Sequence, residues 1–407
     1  MTESVPRHCF QFLMVLFLVL PFGHAYGEAT HDFEPGWTFA GFPLINYSSG
    51  VGVGYGAIGF AIDKGDSPLE GEPFQASIGG QFYQTTGGYA FHKLLLDIRD
   101  LGDTGTQLTF FGGYESWNAT PYFGGGGHSR RYPDGFQGER QAYGDGSLWM
   151  VPRVFVPLED GPWWLIGGAT FRHVWVSGAQ GSVLELEQPR GNQGGAFVQW
   201  LLGGRYSTLE RGVSPRSGFE VEATVRVGPP WLGSKWNANG SNLVLRQVCP
   251  LTADKDLLFA WLATVDVQDG EPFFQSHWLT GGKQTPFGGH SYLRGLPIGR
   301  LRGNVKAMTS GEFRWQFWRH GVFSKSLDWM VAVFTDFGTA STWDEFSGPP
   351  LPWVSGGGGP RWLYDDVFLL RLDVAVATER YSEPGVNGQS SYTEPAIGVY
   401  LAVGHPY

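Results

Sequence analysis

The sequence is poor in cysteine, in charge and in long apolar runs. Two cysteines, Cys9 and Cys249, stand among 407 residues. They cannot build a disulfide framework or a cysteine-rich metal cluster. Charged residues make up 16% of the chain, against about 25% in ordinary soluble domains. The net charge is −10. Without a basic stripe to neutralise phosphates, a nucleic-acid partner is excluded. Beyond the first two dozen residues no apolar stretch approaches the roughly 20 residues that a membrane-spanning helix needs. Reactive motifs are missing too. There is no Gly-x-Ser-x-Gly elbow. Gly282-Lys283 is followed by Gln284, which is no phosphate loop. Neither a His-Glu-x-x-His zinc site nor a regular calcium loop occurs. The expectation is a protein without covalent chemistry, without a cofactor and without a metal.

What is abundant is glycine, with 62 residues, and aromatic side chains, with 17 Trp, 16 Tyr and 30 Phe. The start of the chain has the form of an export signal. Arg7 and His8 supply a short basic end, an apolar stretch runs from Phe10 to Phe22, and Ala25-Tyr26-Gly27 offers a cleavage site. Residues 1–27 are therefore expected to be a signal peptide and residues 28–407 the mature domain. Removal of the signal would leave Cys249 alone.

The strongest pattern is alternation with period two. From Phe219 to Val227, Phe219, Val221, Ala223, Val225 and Val227 oppose Glu220, Glu222, Thr224 and Arg226. From Leu370 to Ala377, Leu370, Leu372, Val374 and Val376 oppose Arg371, Asp373, Ala375 and Ala377. Phe313, Trp315 and Phe317 oppose Glu312, Arg314 and Gln316, and Leu94, Leu96 and Ile98 oppose Lys93, Asp97 and Arg99. Side chains of a strand point alternately to its two faces. In a soluble sandwich the apolar face would cover a core. In a transmembrane barrel it meets lipid, while the charged face lines the lumen. The export signal, the size and the repeated charged face favour the barrel.

Turn signals place strands near 36–47, 51–63, 73–84, 88–98, 105–116, 143–158, 162–178, 194–208, 217–228, 240–253, 257–268, 306–317, 325–338, 353–364, 367–380 and 395–405. The fold class expected is all-β, a transmembrane antiparallel β-barrel of about 16 strands. An even count puts both termini on one side. Connections after the fifth, seventh, eleventh, thirteenth and fifteenth strands are long, and those between them are mostly short, as outer loops and inner turns are in such barrels. The longest, about 269–305, lies on the outer side. Trp163, Trp164, Trp315, Trp318 and Trp329 are expected in the interfacial girdles.

One segment resembles a known family. Leu279-Thr280-Gly281-Gly282 and Phe287-Gly288-Gly289 lead to Leu293-Arg294-Gly295-Leu296, and then through Gly299 and Gly303 to Gly311-Glu312-Phe313-Arg314. Phe334-Thr335-Asp336-Phe337-Gly338 follows. This is similar to the BamA/TamA superfamily, the bacterial surface-antigen outer-membrane barrels. The resemblance implies that the long loop folds into the lumen. Its Arg294, beside Gly295, would pair with Glu312 and with Asp336 of the Phe-x-Asp-x-Gly strand that ends at Gly338. Alternation already puts both carboxylates on the inward face, and a guanidinium binds carboxylates bidentately. Gly36-Trp37 to Tyr47-Ser48 resembles the family's first strand. Thr120-Pro121-Tyr122-Phe123-Gly124 resembles an outer loop. Ile397-Gly398-Val399-Tyr400-Leu401-Ala402-Val403 resembles its last-strand signal, with Gly398, Leu401, Val403 and the terminal Tyr407 as the matching positions. His405-Pro406 intervenes before that final aromatic.

The family's inserting members carry periplasmic repeat domains ahead of the barrel. Residues 28–36 are too few for one. The implied function is insertion or translocation of membrane proteins or lipids at the outer membrane. The implied partners are outer-membrane lipid, the outer-membrane assembly machinery and a periplasmic protein in place of the missing domains. A passive solute channel and a structural or surface barrel are the alternatives.

Overall fold

The computed structural model describes residues 35–48, 52–66, 72, 74–125, 142–159, 161–178, 180–270, 274, 279–281, 285–286, 291–296, 298–322, 325–344, 352–385 and 388–405. The expected signal peptide and the terminal Pro406-Tyr407 lie outside the described residues.

Period-two patterning becomes one 16-stranded antiparallel sheet in chain order. Its strands are β1 (Trp37–Ser48), β2 (Gly52–Asp63), β3 (Ala76–Thr85), β4 (Tyr89–Ile98), β5 (Gln107–Pro121), β6 (Ala142–Pro157), β7 (Trp163–Ser177), β8 (Gly195–Ser207), β9 (Gly218–Val227), β10 (Ala238–Pro250) and β11 (Leu257–Gly270). A two-stranded ribbon, β12 (Leu279–Thr280) and β13 (Thr285–Pro286), interrupts the order inside the long loop. The sheet resumes with β14 (Val305–Val322), β15 (Lys325–Ser341), β16 (Trp353–Tyr364), β17 (Phe368–Gly385) and β18 (Gly388–Val403). A single turn of helix, α1 (Val183–Glu187), follows β7, capped by Ser182, whose hydroxyl accepts from the Glu185 N–H.

The burial pattern separates the two faces. Phe39 is 74% exposed, Leu202 65% and Val333 56%, while Glu312, Asp336 and Asp373 are 0% exposed. The sheet is thus inside out relative to a soluble protein, with apolar residues outward and carboxylates inward. That arrangement suits a barrel in lipid.

Three expectations need correction. The connection after the fifteenth sheet strand is a tight hairpin: β17 runs to Gly385 and pairs with β18 from Gly388. Serine- and threonine-rich sequence there reads as loop, yet strands that extend beyond the lipid need no apolar face. Thr120 and Pro121 belong to the end of β5 instead of an outer loop, and Tyr122 and Phe123 after them are buried. Trp164 does not stand in a girdle. Its neighbour Trp163 faces out at 56% exposure, so alternation turns Trp164 inward, where it is 7% exposed and lies 4.8 Å below the Arg205 guanidinium.

The two ends of the sheet meet in an unexpected way. No ladder joins β1 to β18 among the described residues. At the end that carries the termini, Phe368 stands on the outward face of β17, in line with Leu370 and Val374. It is nevertheless only 8% exposed. Its cover is Phe42 and Phe60, at ring-centroid distances of 5.9 and 5.5 Å. Both belong to the inward face of β1 and β2, opposite the exposed Phe39 and Tyr55. The first two strands therefore overlap the outside of the last strands like the edge of a scroll. Ala40, Tyr364, Leu370 and Val403 join the same apolar cluster, and Lys64 bonds Asp365 across the overlap at 2.6 Å.

Candidate functional site

The loop between β11 and β14 enters the lumen and is tied down at two carboxylates. The first is Asp266 of β11. It accepts from the Gly281 N–H at 2.9 Å and from Arg226 of β9 at 2.7 Å, with Lys306 of β14 at 3.4 Å. The second tie is at the loop tip. Leu293, with φ of 51°, and Gly295, with φ of 101°, bend the backbone sharply on either side of Arg294. A Cβ on Gly295 would lie 3.1 Å from the Ala377 side chain. This position therefore needs glycine both for its conformation and for its closeness to β17.

The structure brings Arg294 to both carboxylates that the motif singled out. Its Nε donates to Asp336 at 3.0 Å and its second terminal nitrogen to the other oxygen of Asp336 at 2.9 Å. The backbone N–H of Arg294 adds a bond to Asp336 at 2.9 Å. The remaining nitrogen donates to Glu312 at 2.8 Å. Arg294 is 0% exposed. Gly338, two residues past Asp336 on the same inward face, is buried and pairs with Met308 and Trp353.

Residues to which the motif gave no partner complete the cluster. Ser310 donates to Asp336 at 2.6 Å and receives Arg294 at 3.3 Å. Phe334 lies flat beneath the guanidinium, with its ring centre 3.2 Å from Cζ. Asp373 of β17 sits 3.6 Å from Arg294. Arg361 of β16 bridges Asp373 at 2.7 Å and Glu312 at 3.4 Å. Arg314 binds Glu312 at 2.7 Å, and Arg371 binds Asp373. Four guanidinium groups thus meet three carboxylates, Glu312, Asp336 and Asp373. Isolated buried charges are very costly. Here the cost is offset only because each charge has partners in good geometry. The same alternation that marked Glu312 also puts Asp373 and Phe334 on the inward face; what it lacks is any sign of which inward residues meet across the lumen.

The loop tip also reaches the last strand. The Gly295 N–H donates to the Tyr400 hydroxyl of β18 at 3.1 Å. Leu293, Leu296 and Leu301 pack with Val244, Leu262, Met308, Trp353 and Ala377 in one buried apolar cluster. Arg302 donates to the Phe274 carbonyl at 3.2 Å, which holds the loop's return limb. Of the last-strand positions, Gly398 faces inward, while Leu401 and Val403 face outward with Ile397. Val403 is drawn into the overlap cluster beneath β1 and β2.

At the terminal end the turn between β8 and β9 folds under the lumen. Val213 packs between Met330, Leu363 and Leu369 of the far wall. Arg216 reaches Asp328 at 3.5 Å. Ser214 shares a hydrogen bond with His405 at 3.1 Å. Burial, reinforced by Arg314 nearby, pushes the His405 imidazole well below its ordinary range, so it is neutral. Among the described residues no cluster of three or more metal-ligating side chains occurs. The lumen is occupied from one end by the long loop and from the other by this turn.

The sequence and the fold are similar to those of known proteins. The Omp85 superfamily domain matches residues 163–392. A comparison with curated protein sequences returned no match. Among solved structures, CdiB from Escherichia coli is similar in fold, with a TM-score of 0.53 at 10% identity, over 92% of this chain and 63% of that one. The crystal structure of BamA from Haemophilus ducreyi lacking POTRA domains 1-3 aligns over 89% of this chain and 70% of that one, at 15% identity and a TM-score of 0.49. This chain spans under two thirds of the length of the CdiB structure. The match covers more than half of the chain, so the protein belongs to the Omp85 superfamily and is a bacterial outer-membrane β-barrel.

Proposed function

We propose that the protein inserts or translocates membrane proteins or lipids at the outer membrane, working through the seam where the first and last strands overlap. The observation that carries this reading is that one loop residue pair serves both the lumen and the seam. Arg294 binds the wall at Asp336 and Glu312, while its neighbour Gly295 binds Tyr400 of the last strand. In this reading the Arg294 cluster locks the loop, and the loop in turn sets the position of β18. Opening the seam breaks no sheet ladder, since none joins β1 to β18 among the described residues. It separates only side chains such as Phe42 and Phe368. Gly398, Leu401, Val403 and Tyr407 would serve as the signal that the assembly machinery reads when this barrel is itself inserted. The partners proposed are outer-membrane lipid, the assembly or secretion machinery and a periplasmic protein that delivers cargo.

The test is reconstitution. Liposomes containing the purified barrel are given an unfolded outer-membrane protein or a labelled lipid in one leaflet. Faster insertion or lipid transfer than in empty liposomes, lost when paired cysteines at positions 42 and 368 are oxidised, is the expected result. Equal rates with the seam locked and unlocked would overturn it. A passive solute channel predicts a large, steady conductance in planar bilayers. With the loop and the β8–β9 turn both in the lumen, conductance is expected to be small and irregular.

A further inference from the structure

The inner wall of the barrel is chemically uneven. From β6 to β17 it carries ion pairs such as Arg153–Glu222 and Arg226–Asp266, both at 2.7 Å. From β2 to β6 it carries Phe60, Ile62, Leu95, Phe111 and Val151. Between that apolar wall and the tucked ends of β17 and β18 lies a cavity of about 460 Å³. Phe368 and Val403 close one side, and Leu279 and Ser291 of the inserted loop close another. The volume falls in the range of small-molecule sites, roughly 300–1,000 Å³.

Two cations face this cavity: Lys93, which has no counter-ion among the described residues, and Arg172, which has Glu115 and Asp145 near it. Lys93 of β4 pairs in register with Gly113 of β5, Gly113 with Trp149 of β6, and Trp149 with Arg172 of β7. Lys93 and Arg172 therefore lie in one row across four strands. Neither has an ion pair within 4.0 Å among the described residues. The Lys93 ammonium has only the Phe91 ring, at 5.7 Å. The Arg172 Nε is buried and has no hydrogen-bond partner. Two carboxylates, Glu115 and Asp145, stand near the Arg172 end of the row, and Glu115 accepts from the Tyr89 hydroxyl at 3.2 Å. Gly113, which has no side chain, leaves room in the row for the Trp149 ring, which lies over it. Buried cations without a partner are costly. Lys93 at the head of an apolar cavity matches a ligand that is anionic at one end and apolar along its length.

We propose that this cavity binds a single-chain anionic amphiphile, of which a long-chain fatty acid is the simplest. Its acid group pairs with Lys93, and its chain runs along Phe60, Leu95 and Phe111 toward Phe368. Charge pairing at Lys93 selects an anionic head, and the overlap of β1–β2 on β17–β18 supplies an apolar border next to the bilayer. The site stands independently of the insertion reading.

The experiment places the purified barrel in nanodiscs of phosphatidylcholine and titrates the fluorescent fatty acid cis-parinaric acid. Saturable binding near one molecule per chain is expected, displaced by palmitate at least tenfold more effectively than by hexadecanol. Lys93→Gln is expected to weaken binding about tenfold or more, and Leu95→Trp, which fills the chain cavity, to abolish it. Each variant is first shown to keep its heat-dependent gel shift. If Leu95→Trp does not fold, the palmitate–hexadecanol contrast and Lys93→Gln decide the matter. Equal displacement by the acid and the alcohol, binding unchanged in Lys93→Gln, or no saturable binding above empty nanodiscs would each overturn the proposal.

Discussion

The Tyr400 hydroxyl of the last strand accepts a hydrogen bond from the Gly295 N–H at 3.1 Å, one residue away from the guanidinium that Asp336 and Glu312 hold. A short stretch of loop thus connects the buried ion cluster to the edge of the sheet. The consequences can be measured separately.

Arg294→Ala leaves Glu312 and Asp336 buried with one cation fewer. Removing one partner of a buried pair costs about 3–5 kcal/mol. The temperature at which the folded gel band converts to the unfolded one should fall, and the loop should be cut faster by added protease. An unchanged conversion temperature would mean that Arg314 and Arg361 neutralise the cluster unaided.

Asp336→Ala combined with Arg294→Ala should cost clearly less than the sum of the single changes, because the two side chains share two hydrogen bonds. A double-mutant cycle on the conversion temperature reads this. Additivity would show that they act independently.

Gly295→Ala imposes a side chain at φ of 101° and within 3.1 Å of Ala377. A positive-φ L-residue costs about 1–2 kcal/mol, so the loop tip should loosen while the sheet persists. Hydrogen exchange should rise in residues 291–296 and stay constant in β14 and β15. Equal exchange in all of them would contradict this.

Tyr400→Phe removes a single hydrogen bond, about 0.5–1.5 kcal/mol. Overall stability should barely change. The seam should respond more strongly, with a cysteine placed at Val403 reacting faster with a membrane-soluble thiol reagent. Unchanged reactivity would disconnect the loop tip from the last strand.

His405 makes the anchoring of the C-terminal end sensitive to acid. Its folded pKa is depressed by burial first and by Arg314, Arg361 and Arg371 next, with Glu312 opposing them. A depressed histidine contributes stability that is present above its unfolded value of about 6.5 and is lost as pH falls below it. The conversion temperature should drop between pH 7.5 and pH 5, and His405→Gln should remove part of that drop. The same drop in both proteins would assign it to other groups.

Much of this protein can be read from one dimension. The alternation at Phe219–Val227 or Glu312–Phe317 is enough to specify a strand and its two faces, because the side-chain direction of a strand is set by its own backbone. Glycine at 295 beside Arg294 is legible for a similarly local reason: a sharp turn needs it. Pairings across the lumen are different. Arg294, Asp373 and Tyr400 lie on separate elements, and nothing local to any of them specifies the others. Their meeting depends on the register of β14 to β18 and on how far the loop reaches.

The overlap at the seam is the clearest case. Phe42 and Phe60 are the same residue type as the outward-facing Phe368 and Phe39. An apolar residue signals only that it avoids water, and lipid, a core and another strand all satisfy it equally. The sequence alone determined that this chain makes an inside-out sheet with a carboxylate-lined interior and a glycine-bent loop. Only the tertiary structure decided that the sheet's ends overlap and that the loop tip holds the last strand, because both follow from the curvature of the whole sheet, which no single strand encodes.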